Sequence, residues 1–136
     1  NHSRVLGGGA QVIQAGSGIS HEEETLGEFT DFFQIWFNPD LRKTLHRDPT
    51  YNEYKSEDFP IEGQDGVTIK TLIGKDSPVN LESEVKMKDV SIEKERQLQI
   101  SLSQGKTLAL VVIPAKVFCS TCRPEQSIMS TGRTLL

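Results

Sequence analysis

The sequence has little from which to build a large core. Apolar residues make up 35% of its 136 positions, fewer than in a typical globular chain. That shortage favours a thin sandwich, a partner-covered surface or an incomplete domain. No apolar run approaches the roughly 18 residues of a membrane span, and no secretory signal precedes the first strand-like segment. The expected compartment is the cytosol, or the nucleus in a eukaryotic source. Basic residues are outnumbered, 15 against 19 acidic, for a net charge of −4. Direct nucleic-acid binding, which needs a basic footprint, is not expected. The two cysteines, Cys119 and Cys122, form a lone Cys-Ser-Thr-Cys. No second pair exists to close a tetrahedral zinc site, so they read as reduced thiols near a turn and take no role. Helical periodicity, a phosphate-cradling glycine loop and a heptad are all missing.

What is present is a series of short strand-like stretches divided by turn signals. Residues 11–14 read as a strand, 15–18 as a glycine-rich turn and 19–24 as the returning arm of a hairpin. Residues 29–37, Phe-Thr-Asp-Phe-Phe-Gln-Ile-Trp-Phe, are the most apolar stretch. Apolar groups fall on both of its faces, which predicts a strand buried on two sides. Residues 67–73, 85–92 and 98–102 alternate, and 107–113 form an apolar run ended by Pro114. Turns are expected at 74–78, 93–96 and 103–106. Between the two halves, 41–66 is charged and lacks a clear period. Its basic cluster, Arg42, Lys43, His46 and Arg47, is followed by Asp48, Glu53, Glu57, Asp58, Glu62 and Asp65, which predicts a salt-laced surface. A stretch of that length is long for a loop inside one unit, so it reads as a linker pinned by Tyr51, Tyr54 and Phe59. The expected organisation is a module at 1–40, a linker at 41–66 and a second module at 67–136. The fold class is all-β, an antiparallel sandwich or barrel.

One constellation carries chemistry. His21 and Glu23 stand two apart, so in a strand both project from one face. An imidazole beside a carboxylate is half of a transition-metal site. Taken alone, His-x-Glu is common and usually faces water, and Glu22 and Glu24 strengthen that bland reading. His2 and His46 have no ligand-like neighbours in sequence and read as surface residues.

The context of the pair is more specific. Gly8-Gly9-Ala10-Gln11-Val12-Ile13-Gln14-Ala15-Gly16-Ser17-Gly18-Ile19-Ser20-His21-Glu22-Glu23 resembles, without a gap, the signature of the pirin family of metal-binding bicupins. Phe33-Gln34-Ile35-Trp36-Phe37-Asn38 is similar to a further strand of that family. Gly9 stands where the family has Asp and Ile13 where it often has Met, and the sequence from Pro114 onward fits poorly. The resemblance implies a cupin-like antiparallel fold, incomplete here. It also implies iron or another divalent metal held by three histidines and a glutamate, with His21 and Glu23 as two of the four ligands. The other two would come from an upstream His-x-His, which this sequence does not contain.

Two functions follow from the resemblance. In the first, the complete site is that of an iron-dependent dioxygenase of the quercetin 2,3-dioxygenase type, acting on a flavonol. The metal would then be Lewis acid and template, and Glu23 both a ligand and the catalytic general base. In the second, the protein is a non-enzymatic metal or redox sensor that contacts another protein, with Phe32, Trp36 and Phe37 as candidates for burial. An inactive fragment stands beside both. Open strand edges would also allow homo-oligomers.

Overall fold

Alternation builds the central sheet. In β4 (Val67–Ile73) and β5 (Met87–Ile92) the antiparallel register sets Val67 opposite Ile92 and Ile69 opposite Val90. Cross-strand partners share a face, so these four apolar side chains form one layer. Val90 is fully buried and Val67 nearly so. Each such side chain contributes about 1.5–3 kcal/mol by leaving water. The opposite face carries Thr68 and Lys70 against Ser91 and Asp89.

The structure is a computed structural model and describes residues 3–27, 30–113 and 133–135. Its described elements are β1 (Ala10–Gln14), α1 (Leu41–Thr44), β2 (Thr50–Tyr54), a 3-10 turn at Ser56–Asp58, β3 (Ile61–Gln64), β4, β5, β6 (Val111–Val112) and β7 (Arg133–Leu135). They form two antiparallel sheets. β1 pairs with β2, and a five-stranded sheet runs β3-β4-β5-β7-β6. Neither sheet closes into a barrel among the described residues. The fold is therefore predominantly β and antiparallel, as expected, and is compatible with an incomplete cupin-like fold.

A two-residue loop joins β3 to β4. Asp65 and Gly66 both take positive φ, 51° and 76°, the geometry of a type I′ turn that matches strand twist. The β4–β5 connection is held by Ser77, whose hydroxyl donates to Leu72 O at 2.6 Å and accepts from Val79 N at 3.2 Å. That clamp holds the segment carrying Val79, which is buried, as are Phe59, Val67 and Val90.

Several expectations are corrected. Residues 19–24 form no strand, and β1 instead pairs with β2, Ala10 opposite Tyr54 and Gln14 opposite Thr50. Residues 41–66 are not featureless: they hold α1, β2, the 3-10 turn and β3. Asp40 caps α1 by accepting from Arg42 N at 3.2 Å. In 29–37 the described residues, 30–37, have no regular structure. They are exposed rather than doubly buried, Phe32 at 60% and Trp36 at 85%. Residues 98–102 also form no strand, and 107–113 reduces to β6. The turns at 74–78, 93–96 and 103–106 are present, each with an i to i+3 hydrogen bond. Cys119, Cys122, Pro114 and His2 lie outside the described residues.

Candidate metal-ligand pair

The approach to His21 is fixed by backbone. After β1 the chain turns at 15–18, where Gly18 N donates to Ala15 O at 2.8 Å and Ser17 N donates to Arg47 O at 2.9 Å. Gly16 sits at φ 52°, and a Cβ there would lie 2.3 Å from Arg47 O. Only glycine fits both the conformation and the approach. Arg47 is held in turn by Glu82, its Nη1 2.7 Å from Oε1. The turn is thus anchored to the α1–β2 connection, and residues 19–27 continue from it without regular structure.

His21 Nε2 and Glu23 Oε1 lie 3.7 Å apart, with side chains 33% and 38% exposed. The two groups are therefore side by side, although no strand holds them so. Metal bonds of about 2.1 Å put neighbouring ligand atoms roughly 3.0–3.4 Å apart. A side-chain shift of a few tenths of an ångström would bring this pair into that range. The donor set, one imidazole nitrogen and one carboxylate oxygen, suits iron or a similar divalent metal. Among the described residues no cluster of three or more His, Cys, Asp or Glu could hold a metal ion. The pair fits as two ligands of a centre and does not complete one. His46 lies exposed after α1.

A second polar cluster lies on the β1–β2 sheet. Tyr51 donates to Glu53 Oε1 at 2.8 Å, and Ser3 Oγ is hydrogen-bonded to the Tyr51 hydroxyl. Hydrogen bonds from Ser3 and Tyr51 hold the Glu53 carboxyl below its ordinary range. Partial burial, helped by the carboxylate, holds the Tyr51 phenol above its own. The group sequence reading missed is Lys70. Its position in an alternating strand suggests a wet face, yet it is 7% exposed. Its ammonium donates to Gly8 O at 3.0 Å and Ser56 Oγ at 2.6 Å, and sits 5.8 Å from the centre of the Phe59 ring. No local signal marks it, because its hydrogen-bond partners Gly8 and Ser56 lie 62 and 14 positions away.

Comparison with known proteins finds a weak, partial likeness to pirin-type proteins. The chain is 30% identical over 129 residues to the Pseudomonas aeruginosa protein named "Putative quercetin 2,3-dioxygenase PA1210", covering 92% of this chain and 53% of that protein. It is 28% identical over 105 residues to pirin-like protein 2 of Arabidopsis thaliana, covering 74% of this chain and 32% of that protein. The likeness to pirin-family proteins is distant and partial. The chain spans about half the length of the first of these relatives and about a third of the second. No family model matches the chain, and no solved structure matches it. Among the described residues no helix is long and apolar enough to cross a membrane.

Proposed function

We propose that this chain supplies two ligands, His21 and Glu23, to a pirin-type metal centre, and that the completed centre is that of an iron-dependent dioxygenase acting on a flavonol such as quercetin. The observation that carries the reading is the 3.7 Å approach of Nε2 to Oε1 in an otherwise irregular segment. Partial similarity to a protein named for quercetin 2,3-dioxygenase supports the substrate class. A bound metal would supply Lewis acidity and a template for substrate oxygens. His21 would orient that centre through its ring nitrogen. Glu23 would accept a proton from a substrate hydroxyl through its carboxylate oxygen. Both side chains are partly exposed, so a substrate would approach them from solvent. The module boundary at 41–66, and the open sheet edges as homo-oligomer contacts, belong to the same proposal.

Elemental analysis after loading with ferrous iron tests the reading. The expected result is iron at one per chain or one per dimer, reduced in His21→Ala and Glu23→Gln. Oxygen uptake on adding quercetin would then support the dioxygenase. Occupancy unchanged by either substitution would overturn the ligand assignment. A second reading, a metal sensor that binds another protein, is favoured by the exposure of Phe32, Trp36 and Phe37. Stoichiometric iron without oxygen uptake would select it.

A further inference from the structure

The segment between β4 and β5 ties the five-stranded sheet to the turn that precedes His21. Its central part, residues 77–82, reads Ser-Pro-Val-Asn-Leu-Glu. The first half is fixed to the sheet. The Ser77 hydroxyl donates to Leu72 O at 2.6 Å and accepts from Val79 N at 3.2 Å. Pro78 between them has a locked φ, and Val79 is buried. The second half reaches toward the β1–β2 sheet. Asn80 O accepts from the Gln14 side chain at 3.3 Å. Two residues on, Glu82 Oε1 lies 2.7 Å from Arg47 Nη1.

Both contacts bear on the turn at 15–18. Gln14 ends β1 and leads into it. Arg47 carries the carbonyl that accepts from Ser17 N at 2.9 Å, and the bare Gly16 lets that carbonyl come close. At the other end of β1, Lys70 of β4 donates to Gly8 O. β1 is thus fastened to the five-stranded sheet at both ends, by a buried ammonium before it and by the strap 77–82 after it. Residues 19–27 belong to no ladder. A segment with few hydrogen bonds of its own opens easily, so the placement of His21 and Glu23 is inherited from the turn they follow.

We propose that Glu82 is a positioning residue for the His21–Glu23 pair: by holding Arg47 it steadies the turn that delivers the pair, and so lets the β4–β5 sheet set where the two groups stand. The consequence for metal binding rests on the metal-centre reading, whereas the positioning itself does not. The Arg47 and Glu82 side chains are 54% and 40% exposed. An ion pair so exposed shifts an equilibrium by only about threefold. The coupling is reciprocal, so a metal held by the pair also steadies the strap.

Amide exchange and the His21 ring resonances, followed by NMR on the metal-free full chain, test the positioning. Glu82→Gln removes the charge and nearly keeps the shape. The expected result is about threefold faster exchange at Ser17, displaced His21 ring signals and unchanged protection in β4 and β5. Raised salt should produce the same change in the unsubstituted chain by screening the pair. The exchanged pair, Arg47→Glu with Glu82→Arg, should restore both readings, which a general loss of stability would not allow. Titration with ferrous iron should then show about threefold weaker binding in Glu82→Gln and recovery in the exchanged pair. Ser17 exchange and His21 signals unchanged in Glu82→Gln would overturn the proposal. So would failure of the folded exchanged pair to restore them, or weaker iron binding with Ser17 exchange unchanged. If the unsubstituted chain takes up no iron while exchange and ring signals respond as expected, the positioning stands and the metal-centre reading falls.

Discussion

Residues 67–92 and 19–39 make an instructive pair. The first region is only moderately apolar and contains a lysine and an aspartate that are both buried. The second includes the most aromatic stretch of the chain, and its described residues 30–37 are exposed throughout. Burial here follows strand pairing more than side-chain apolarity. β4 has a hydrogen-bonded neighbour on each side, β3 and β5, so its side chains are packed from both directions. The aromatic segment has no ladder among the described residues, so Trp36 stays 85% exposed. An apolar side chain is buried only when a second surface exists to meet it.

The sharpest way to break the comparison is one substitution in each region. Val90→Asp puts an unpaired charge into the fully buried site of β5 and should cost about 3–5 kcal/mol, enough to unfold a marginal domain. Trp36→Ser should change stability by no more than about 0.5 kcal/mol. Thermal melts followed by circular dichroism check both. A large loss for Trp36→Ser would mean that this segment is packed in solution.

The next largest effect is expected at Gly16. Gly16→Ala forces a Cβ against Arg47 O at a left-handed φ and should cost about 2 kcal/mol. Amide exchange should rise over residues 15–24 while β4 and β5 keep their protection. Lys70→Met removes two hydrogen bonds from an ammonium and should cost about 1.5–3 kcal/mol. Faster exchange is expected at Gly9 and Ala10, where the glycine turn meets Ser56 and Lys70. If exchange there is unchanged, the lysine does not fasten that turn.

The smallest effects are in pH dependence. Arg42, by its side-chain hydrogen bond, holds the Asp40 carboxyl below its ordinary range, and Ser3 and Tyr51 do the same for Glu53. Carboxyls lowered by folding stabilise above their unfolded values, and that contribution is lost as pH falls through the lowered ones. The Tyr51 phenol is raised, so its contribution is present below the ordinary phenol range and lost as pH rises through the raised value. Side-chain titration by NMR should show Asp40 and Glu53 below, and Tyr51 above, their peptide values. All three groups are near the surface, so the shifts should shrink with added salt.

Legibility followed the range of the information. β1, β4 and β5 were readable because alternation within a strand is local, and the turns at 74–78, 93–96 and 103–106 because their residues carry the required conformations. Asp65-Gly66 was equally readable as a hairpin turn, but it was absorbed into a long linker. The pair at His21 and Glu23 was legible as spacing, and the side-chain approach then depended on a turn held by Arg47, far along the chain. Expectations failed at 30–37, at 98–102 and over most of 107–113, because an apolar or an alternating segment becomes a strand only where another segment completes its ladder.

By itself the sequence determined the β character, the positions of β1, β4 and β5 and the donor types at 21 and 23. These depend on side-chain period and on residue chemistry, both carried by a few adjacent positions. Only the tertiary structure decided that β1 pairs with Thr50–Tyr54 and that Lys70 is buried against Gly8 and Ser56. Each of these depends on which distant segment comes to lie alongside, and a pattern of period two is satisfied by many partners.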